Sequence, residues 1–388
     1  MDHKFEQNVL TLQPKSRLDS ANVGEAEASI AELRAKFPTD NVVLDLGELN
    51  YISSAGLRLV LRLIKSTANF KVTNVNSDVY EIFDMTGFTE MTTIEKAFRK
   101  ISVDGCEVIG KGANGKVYRL NEDTIVKVYL DPDSLDDIRR ERDLAKKAFV
   151  LGIPTAISYD IARVGDGYGS VFELLNANSF AKILADEPER FDEIIDLYVD
   201  LLKKIHSTVV RSGDMPEIKS VANNWLKFDV AYLPDDAAAK LSALVRAIPY
   251  DDHMLHGDYH LKNVMMQGSE ALLIDMDTLC VGDPVFEFAA MFNAYIGFHV
   301  FKPEGTKDFL GITHETALKV WYKTLEKYFG TTDKEKLEKI EEKAAVIGYM
   351  RLMRRTIRRE GQDSENAEGY KKLLLEYLEK VESLSISR

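Results

Sequence analysis

Apolar positions follow two periods along this chain, and the change from one to the other marks its elements. Residues 8 to 13 and Val42-Val43-Leu44-Asp45-Leu46 are runs of strand length, and the second is nearly continuous, as expected of a buried central strand. Leu18-Asp19-Ser20-Ala21-Asn22-Val23 leads into an Ala/Glu/Leu-rich helix that Phe37-Pro38 terminates. Tyr51 to Gly56 then turns into a segment whose apolar positions 57, 60, 61 and 64 have helical spacing, with serines at its N-cap. Phe70 to Val75 predicts another strand, Val79 to Met85 a helix ended by Thr86-Gly87, and 90 to 100 a short strand and helix. This alternation describes a compact α/β layer domain.

Beyond it, Cys106-Glu107-Val108-Ile109 runs into Gly110-Lys111-Gly112-Ala113-Asn114-Gly115-Lys116-Val117, and Thr124 to Tyr129 follows a turn. A dinucleotide-binding fold would require these glycines to open a helix. Here they lie between two strand-like segments. In the helical stretch Ile138 to Phe149 the apolar stripe includes 138, 145 and 148, and Glu141 falls on the same side. An inward carboxylate needs a cation, and Lys127 is the economical choice; Asp143 falls off the stripe. Helices are expected over 179 to 210, 236 to 247, 334 to 359 and 364 to 383, with a polar segment and Trp225 between the first two. Arg351, Arg354, Arg355, Arg358 and Arg359 cluster near the end of the third, where they could touch a phosphate, touch the first domain or form a solvated face.

Composition narrows the class. The chain has 388 residues, 45% of them apolar, enough for two or three ordinary cores. No apolar run reaches 18 residues and the N-terminus lacks a signal-peptide core, so a soluble cytoplasmic protein with no membrane contact is expected. A formal charge of -13 argues against broad nucleic-acid binding and leans only faintly towards cationic partners. Cys106 and Cys280 make no disulfide framework, and no Cys/His spacing suggests zinc.

The candidate chemistry lies in His256-Gly257-Asp258-Tyr259-His260-Leu261-Lys262-Asn263 and the hairpin-like segment after it, which delivers Ile274-Asp275. Asn263 opens one strand and Asp275 closes its neighbour, so both can reach one mouth, with Asp258 on the loop before them. An amide oxygen and a carboxylate suit Mg²⁺ beside nucleotide phosphates, and Asp258 could orient or accept the proton of a hydroxyl. The spacing H-G-D-x-H-x-x-N followed by I-D resembles the aminoglycoside phosphotransferase and choline kinase branch of the protein-kinase-like superfamily. That resemblance implies a catalytic Asp258, metal ligands Asn263 and Asp275, and Lys127 on the phosphates with Glu141 as its partner. It also implies a Gly-rich hairpin of Gly110, Gly112, Asn114, Gly115 and Val117 over ATP, and a hinge whose backbone at Glu173 and Leu175 holds adenine. Gly257 replaces the arginine of protein kinases, and only seven residues separate Asp275 from Gly282-Asp283-Pro284, too few for an activation segment. Glu287 stands where the family usually has Asp, and His206 is expected to be structural.

Residues 6 to 100 resemble the STAS, or anti-sigma factor antagonist, family through the early Leu-Asp, the Ser53-Ser54-Ala55-Gly56-Leu57 loop and Phe83-Asp84-Met85-Thr86-Gly87-Phe88. The resemblance makes Ser54 a regulatory phosphosite, although Ser53 replaces the usual Asp. Both serines would also serve simply as caps. A phosphate at Ser54 would meet the positive end of a helix and add about -1.5 to -2 charges to the surface.

The expected architecture is an α/β STAS-like domain (1–101) followed by a bilobal α+β protein-kinase-like phosphotransferase, with an N-lobe at 102–177 and a C-lobe with a helical acceptor region at 178–388. The junction lacks a Gly/Ser- or Pro-rich spacer, so the first domain is expected against the N-lobe hairpin. The leading function is ATP- and Mg²⁺-dependent transfer to a hydroxyl of a small polar molecule, with cationic acceptors such as an aminoglycoside, choline or an amino sugar, and a hydroxylated amino acid, all open, and a regulatory protein as the partner the STAS part could take. A signalling kinase acting on Ser54 or a partner protein, and an anti-sigma factor antagonist with a non-catalytic nucleotide-binding domain, are the alternatives.

Overall fold

The computed structural model describes residues 1–112, 115–175 and 177–388. They divide into two compact units, 1–102 with 161–166, and 103–160 with 167–388.

In the first unit β1 (Asp2–Glu6) and β2 (Val9–Gln13) form an antiparallel hairpin, and β3 (Ser16–Leu18) leads to α1 (Val23–Lys36). Then come β4 (Asn41–Asp45), β5 (Leu49–Ile52), α2 (Ser54–Ser66), β6 (Asn69–Val75) and α3 (Ser77–Met85), followed by β7 (Thr93–Lys96) and β8 (Arg99–Ile101). The sheet order is β1-β2-β4-β6-β7, with β4 central and parallel to both neighbours. Its core joins Leu10, Leu12, Val42, Leu44 and Val72 of the sheet to helix residues such as Val60 and Phe83. One expectation needs correction: 90 to 100 contains no α-helix. Thr93–Lys96 instead extends the sheet in parallel with β6, because pairing with an open strand edge outweighs the modest helix propensity of Glu and Lys.

In the second unit β9 (Glu107–Lys111), β10 (Gly115–Arg119) and β11 (Thr124–Tyr129) form an antiparallel meander, backed by α4 (Leu135–Val150). β12 (Asp160–Val164) falls, all but its first residue, in the first unit's 161–166 segment, and β13 (Gly167–Glu173) pairs antiparallel with β11. β14 (Asn178–Ser179) opens α5 (Phe180–Asp186), and α6 (Phe191–His206), α7 (Ile218–Asp229) and α8 (Asp235–Ala247) follow. Trp225 lies on α7.

β15 (Met254–Leu255) precedes the catalytic-type loop, β16 (Val264–Gln267) and β17 (Glu270–Leu273) form the expected hairpin, and β18 (Cys280–Val281) pairs with β15. The chain ends in α9 (Val285–Tyr295), α10 (Gly305–Leu310), α11 (His314–Phe329), α12 (Lys334–Glu360) and α13 (Glu365–Lys380). The core of these helices is rich in large apolar side chains, including Trp321, Phe288 and Phe292. α9 is buried along its whole length, which makes it a rigid post behind the loop. Among the described residues no helix is long and apolar enough to cross a membrane.

Candidate functional site

The β16–β17 register pairs Val264 with Leu273, and Ile274 N–H donates to the Asn263 carbonyl at 3.0 Å. Asn263 and Asp275 therefore emerge at one end of this hairpin. Asp275 turns the chain there with φ 64°, in the left-handed region that Asp tolerates better than bulky residues. Asn263 Nδ2 donates to the Asp258 carbonyl at 3.0 Å, tying the loop to the hairpin and leaving its amide oxygen for another partner.

From the sheet, Lys127 Nζ reaches Glu141 Oε1 at 3.1 Å and Asp275 Oδ1 at 2.6 Å. The inward acid on α4 thus meets the cation inferred for it. Burial would lower the Lys127 pKa, but Glu141 and then Asp275 outweigh it and raise it, so the ammonium stays charged. Tyr129, two residues along β11 and hence on the same face, donates to Glu141 Oε2 at 2.6 Å. The period-2 spacing of Lys127 and Tyr129 is the sequence signal for this shared partner.

Asp258 and Asp275 keep 43% and 41% of their side-chain surface exposed, so both carboxylates open to solvent. Burial by itself would raise the Asp258 pKa, yet His260, whose Nε2 lies 3.5 Å from Oδ2, and then His256 and Arg351 hold it at about 2. Asp258 is therefore ionised at neutral pH. Asp277 is pushed up to about 7 by burial and by its neighbours Asp275 and Glu141. Hard oxygen donors in an excess of negative charge suit a divalent cation of the Mg²⁺ type, which Asn263 and Asp275 could hold.

Glu287 organises the loop more than its place in the sequence suggested. It has no exposed surface and accepts the backbone N–H groups of His256 at 2.6 Å, Gly257 at 3.0 Å and Tyr259 at 3.2 Å. Gly257 has φ 83°, and a Cβ there would stand 2.5 Å from the Thr278 carbonyl oxygen, which excludes the arginine found in protein kinases. His206 is buried, with Nδ1 2.7 Å from Tyr328 Oη and Nε2 3.7 Å from Glu287, a packing position beside the loop.

The remaining expected residues are dispersed along the backbone. Gly110 pairs with Val117, which pairs in turn with Lys127, and Gly112 N–H donates to the Gly115 carbonyl at 2.9 Å to close the hairpin tip. Gly115 is buried, and a Cβ would lie 2.4 Å from the Val128 carbonyl oxygen. Asn114 lies outside the described residues. Glu173 ends β13, and Leu174 N–H donates to the Asp123 carbonyl at 2.7 Å, which leads the chain to a half-buried Leu175. Ser54 belongs to the other unit, as the exposed first residue of α2, and Ser53 caps that helix by accepting from Ala55 N–H at 3.2 Å.

Comparison with known proteins places this geometry. Residues 105–309 match the phosphotransferase enzyme family and residues 1–101 the STAS domain. A Bordetella bronchiseptica protein named as anti-sigma factor antagonist BtrV is 40% identical over 75 residues, 18% of this chain and 64% of that relative's length. Among solved structures, ADP-bound aminoglycoside phosphotransferase APH(2'')-Ib superposes with a TM-score of 0.50 at 13% identity, over 78% of this chain and 99% of its own. The gentamicin complex of APH(2'')-IIa gives 0.48 at 15%, over 78% and 96%. The chain belongs to the phosphotransferase enzyme family, with a kinase-like fold preceded by a STAS domain.

Proposed function

We propose that the second unit transfers the γ-phosphoryl group of ATP to a hydroxyl of a small polar molecule, and that the STAS domain docks a regulatory protein. The observation that carries this reading is the convergence of Lys127, Glu141 and Asp275 with an ionised Asp258, joined through Asn263. A purely structural ion pair would not need the open, acidic mouth beside it.

Asp258 would orient the acceptor hydroxyl and take its proton as the new oxygen–phosphorus bond forms and ADP leaves. Lys127, kept charged and fixed by Glu141 and Tyr129, would hold phosphate oxygens. The hairpin of Gly110, Gly112 and Gly115 would cover them, and the backbone at Glu173 and Leu175 would hold adenine. Mg²⁺ bound by Asn263 and Asp275 would supply charge neutralisation at the phosphates.

The test is incubation with labelled ATP and Mg²⁺, counting protein and metabolite fractions separately. Label should collect in a metabolite. Asp258→Asn should bind nucleotide as the parent does and lose turnover by roughly 10²–10⁴; full activity in that variant would overturn the assignment. The same counting tests modification of the chain itself at Ser54, whose exposed position at the start of α2 would give a phosphate unpaired N–H groups. A phosphosite map in which Ser54 is unmodified under every growth condition would remove it as a switch.

A further inference from the structure

The last two turns of α12 present Arg351, Arg354, Arg355 and Arg358 at spacings of three, four and seven residues, the pattern of one helix face. Their guanidinium groups lie over rings. Arg351 is 5.0 Å from the Trp225 ring centroid, Arg354 and Arg358 are 5.8 and 5.6 Å from Phe228, and Arg355 is 5.0 Å from Phe298. Such contacts orient a cation without neutralising it. Among the described residues no carboxylate comes within ion-pairing distance of these four side chains. The Nε of Arg354 is buried without a hydrogen-bond partner.

Asp229, the acid that acts on Arg354 and Arg358, does not compensate them. Asp229 has no exposed surface and neither of its carboxylate oxygens has a partner. Burial pushes its pKa up to about 8 against the opposing pull of Arg354 and Arg358, so it is mostly neutral at pH 7. Arg354 and Arg358 are thus left without an ionised partner in ion-pairing distance.

This face runs into the catalytic loop. His260, beside Asp258, meets the Phe309 ring edge-on at 4.9 Å, and Phe309 meets Phe298 at 4.9 Å. Phe298 carries Arg355, and Lys262 stands 5.7 Å above Phe309. Arg351 and Arg355 both act electrostatically on Asp258. Ring faces, cations and an ionised carboxylate follow one another along this face and would line a groove of defined charge.

We propose that this groove is the acceptor subsite and that the acceptor is a small hydroxyl compound bearing an anionic group, a carboxylate or a phosphate ester, seated on Arg351 and Arg355 while its hydroxyl reaches Asp258. The proposal rests on the phosphotransfer reading above. In the reaction, the bond between the γ-phosphorus and its bridging oxygen breaks as the acceptor oxygen bonds phosphorus. The hydroxyl proton passes to Asp258, and the nucleoside diphosphate departs with the electron pair. The chain's net charge of -13 leans towards cations, but the local field has the opposite sign, and a polyamine sugar would meet four like charges.

Two measurements test it. In the first, the full chain saturated with ADP and Mg²⁺ is titrated with inorganic phosphate and with acetate by calorimetry. At least one anion should bind, and Arg351→Gln and Arg355→Gln should each weaken it tenfold or more, about 1.4 kcal/mol. Unchanged binding in both variants overturns the proposal, and Arg355, exposed on the rim, can be replaced without disturbing the core. In the second, transfer from labelled ATP is followed to an amino sugar, a neutral sugar, a sugar acid and a sugar phosphate. The acid or the phosphate should be preferred at least tenfold over the amino sugar, and whichever leads identifies the anion. Arg355→Gln should erase that preference through KM while kcat holds. Preference for the amino sugar overturns the anionic class and leaves phosphotransfer standing, whereas ATP left intact with every acceptor overturns both.

Discussion

At the scale of single residues, the loop geometry depends on a carboxylate that solvent never reaches. Burial would raise the Glu287 pKa, but His206, His256 and the Gly257 N–H hold it below the usual range, while burial keeps His206 neutral. The pair is an ionised acid beside a neutral imidazole. Because the native pKa is depressed, the stabilisation is fully present above the unfolded value near 4.3 and is lost as pH falls through the lower native value. Glu287→Gln should cost roughly 3–5 kcal/mol in denaturant unfolding, since it leaves buried N–H groups facing an amide. Glu287→Asp, which keeps the charge, should cost less. Asp229 has the opposite sign. Its native pKa of about 8 lies above the unfolded value of about 3.9, so the protein should lose stability as pH rises between them, by at most about 1.4 kcal/mol per pH unit. Asp229→Asn should flatten that dependence, as thermal melts at pH 5 and pH 8 would show.

At the scale of elements, α4 is fastened to the sheet through one acid. Glu141 takes Lys127 and Tyr129 together, so Tyr129→Phe should destabilise the second unit by about 1–3 kcal/mol and loosen Lys127, raising the KM for ATP more than it lowers kcat. Equal kinetic constants in that variant would show that Glu141 and Asp275 hold the lysine without help from Tyr129. The turn at Gly257 is as demanding. With φ 83° and the Thr278 carbonyl in the way, Gly257→Ala should shift the loop and cost at least about 1–3 kcal/mol, visible both in the melting temperature and in turnover.

At the scale of the whole molecule, the C-terminal residues are part of the second unit's core. Leu384 and Ile386 are buried; Ser385 Oγ and Ile386 N–H donate to the Asp283 carboxylate, and Arg388 pairs with Asp251. Removing residues 382–388 should therefore cost roughly 3–5 kcal/mol, by burial of about 1.5–3 kcal/mol for each large apolar side chain, and free the Gly282-Asp283-Pro284 segment to move. An unchanged unfolding midpoint would show that the tail only rests on the surface. The division into units also affects how the chain can be cut. Since residues 161–166 complete the first unit, cleavage after 102 removes most of that unit but leaves this segment behind.

Periodicity and spacing determined much of this protein before any coordinates. Buried strands such as Val42 to Leu46, helices with a single apolar stripe, and a polar loop feeding a hairpin each follow from local pattern, because side-chain direction repeats every 2 or 3.6 residues. The pairing of Lys127 with Glu141 was legible for the same reason, since an acid on an inward stripe requires a cation. Tertiary structure decided what local pattern does not contain. It turned 93–96 into a sheet edge, placed Glu287 under three loop amides 28 to 31 residues away, and laid the arginines of α12 over the rings of Trp225, Phe228 and Phe298. The sequence sums charge over the whole chain, whereas a ligand meets only the few charges that folding brings within a Debye length of about 8 Å, and here the sum and the local field have opposite signs.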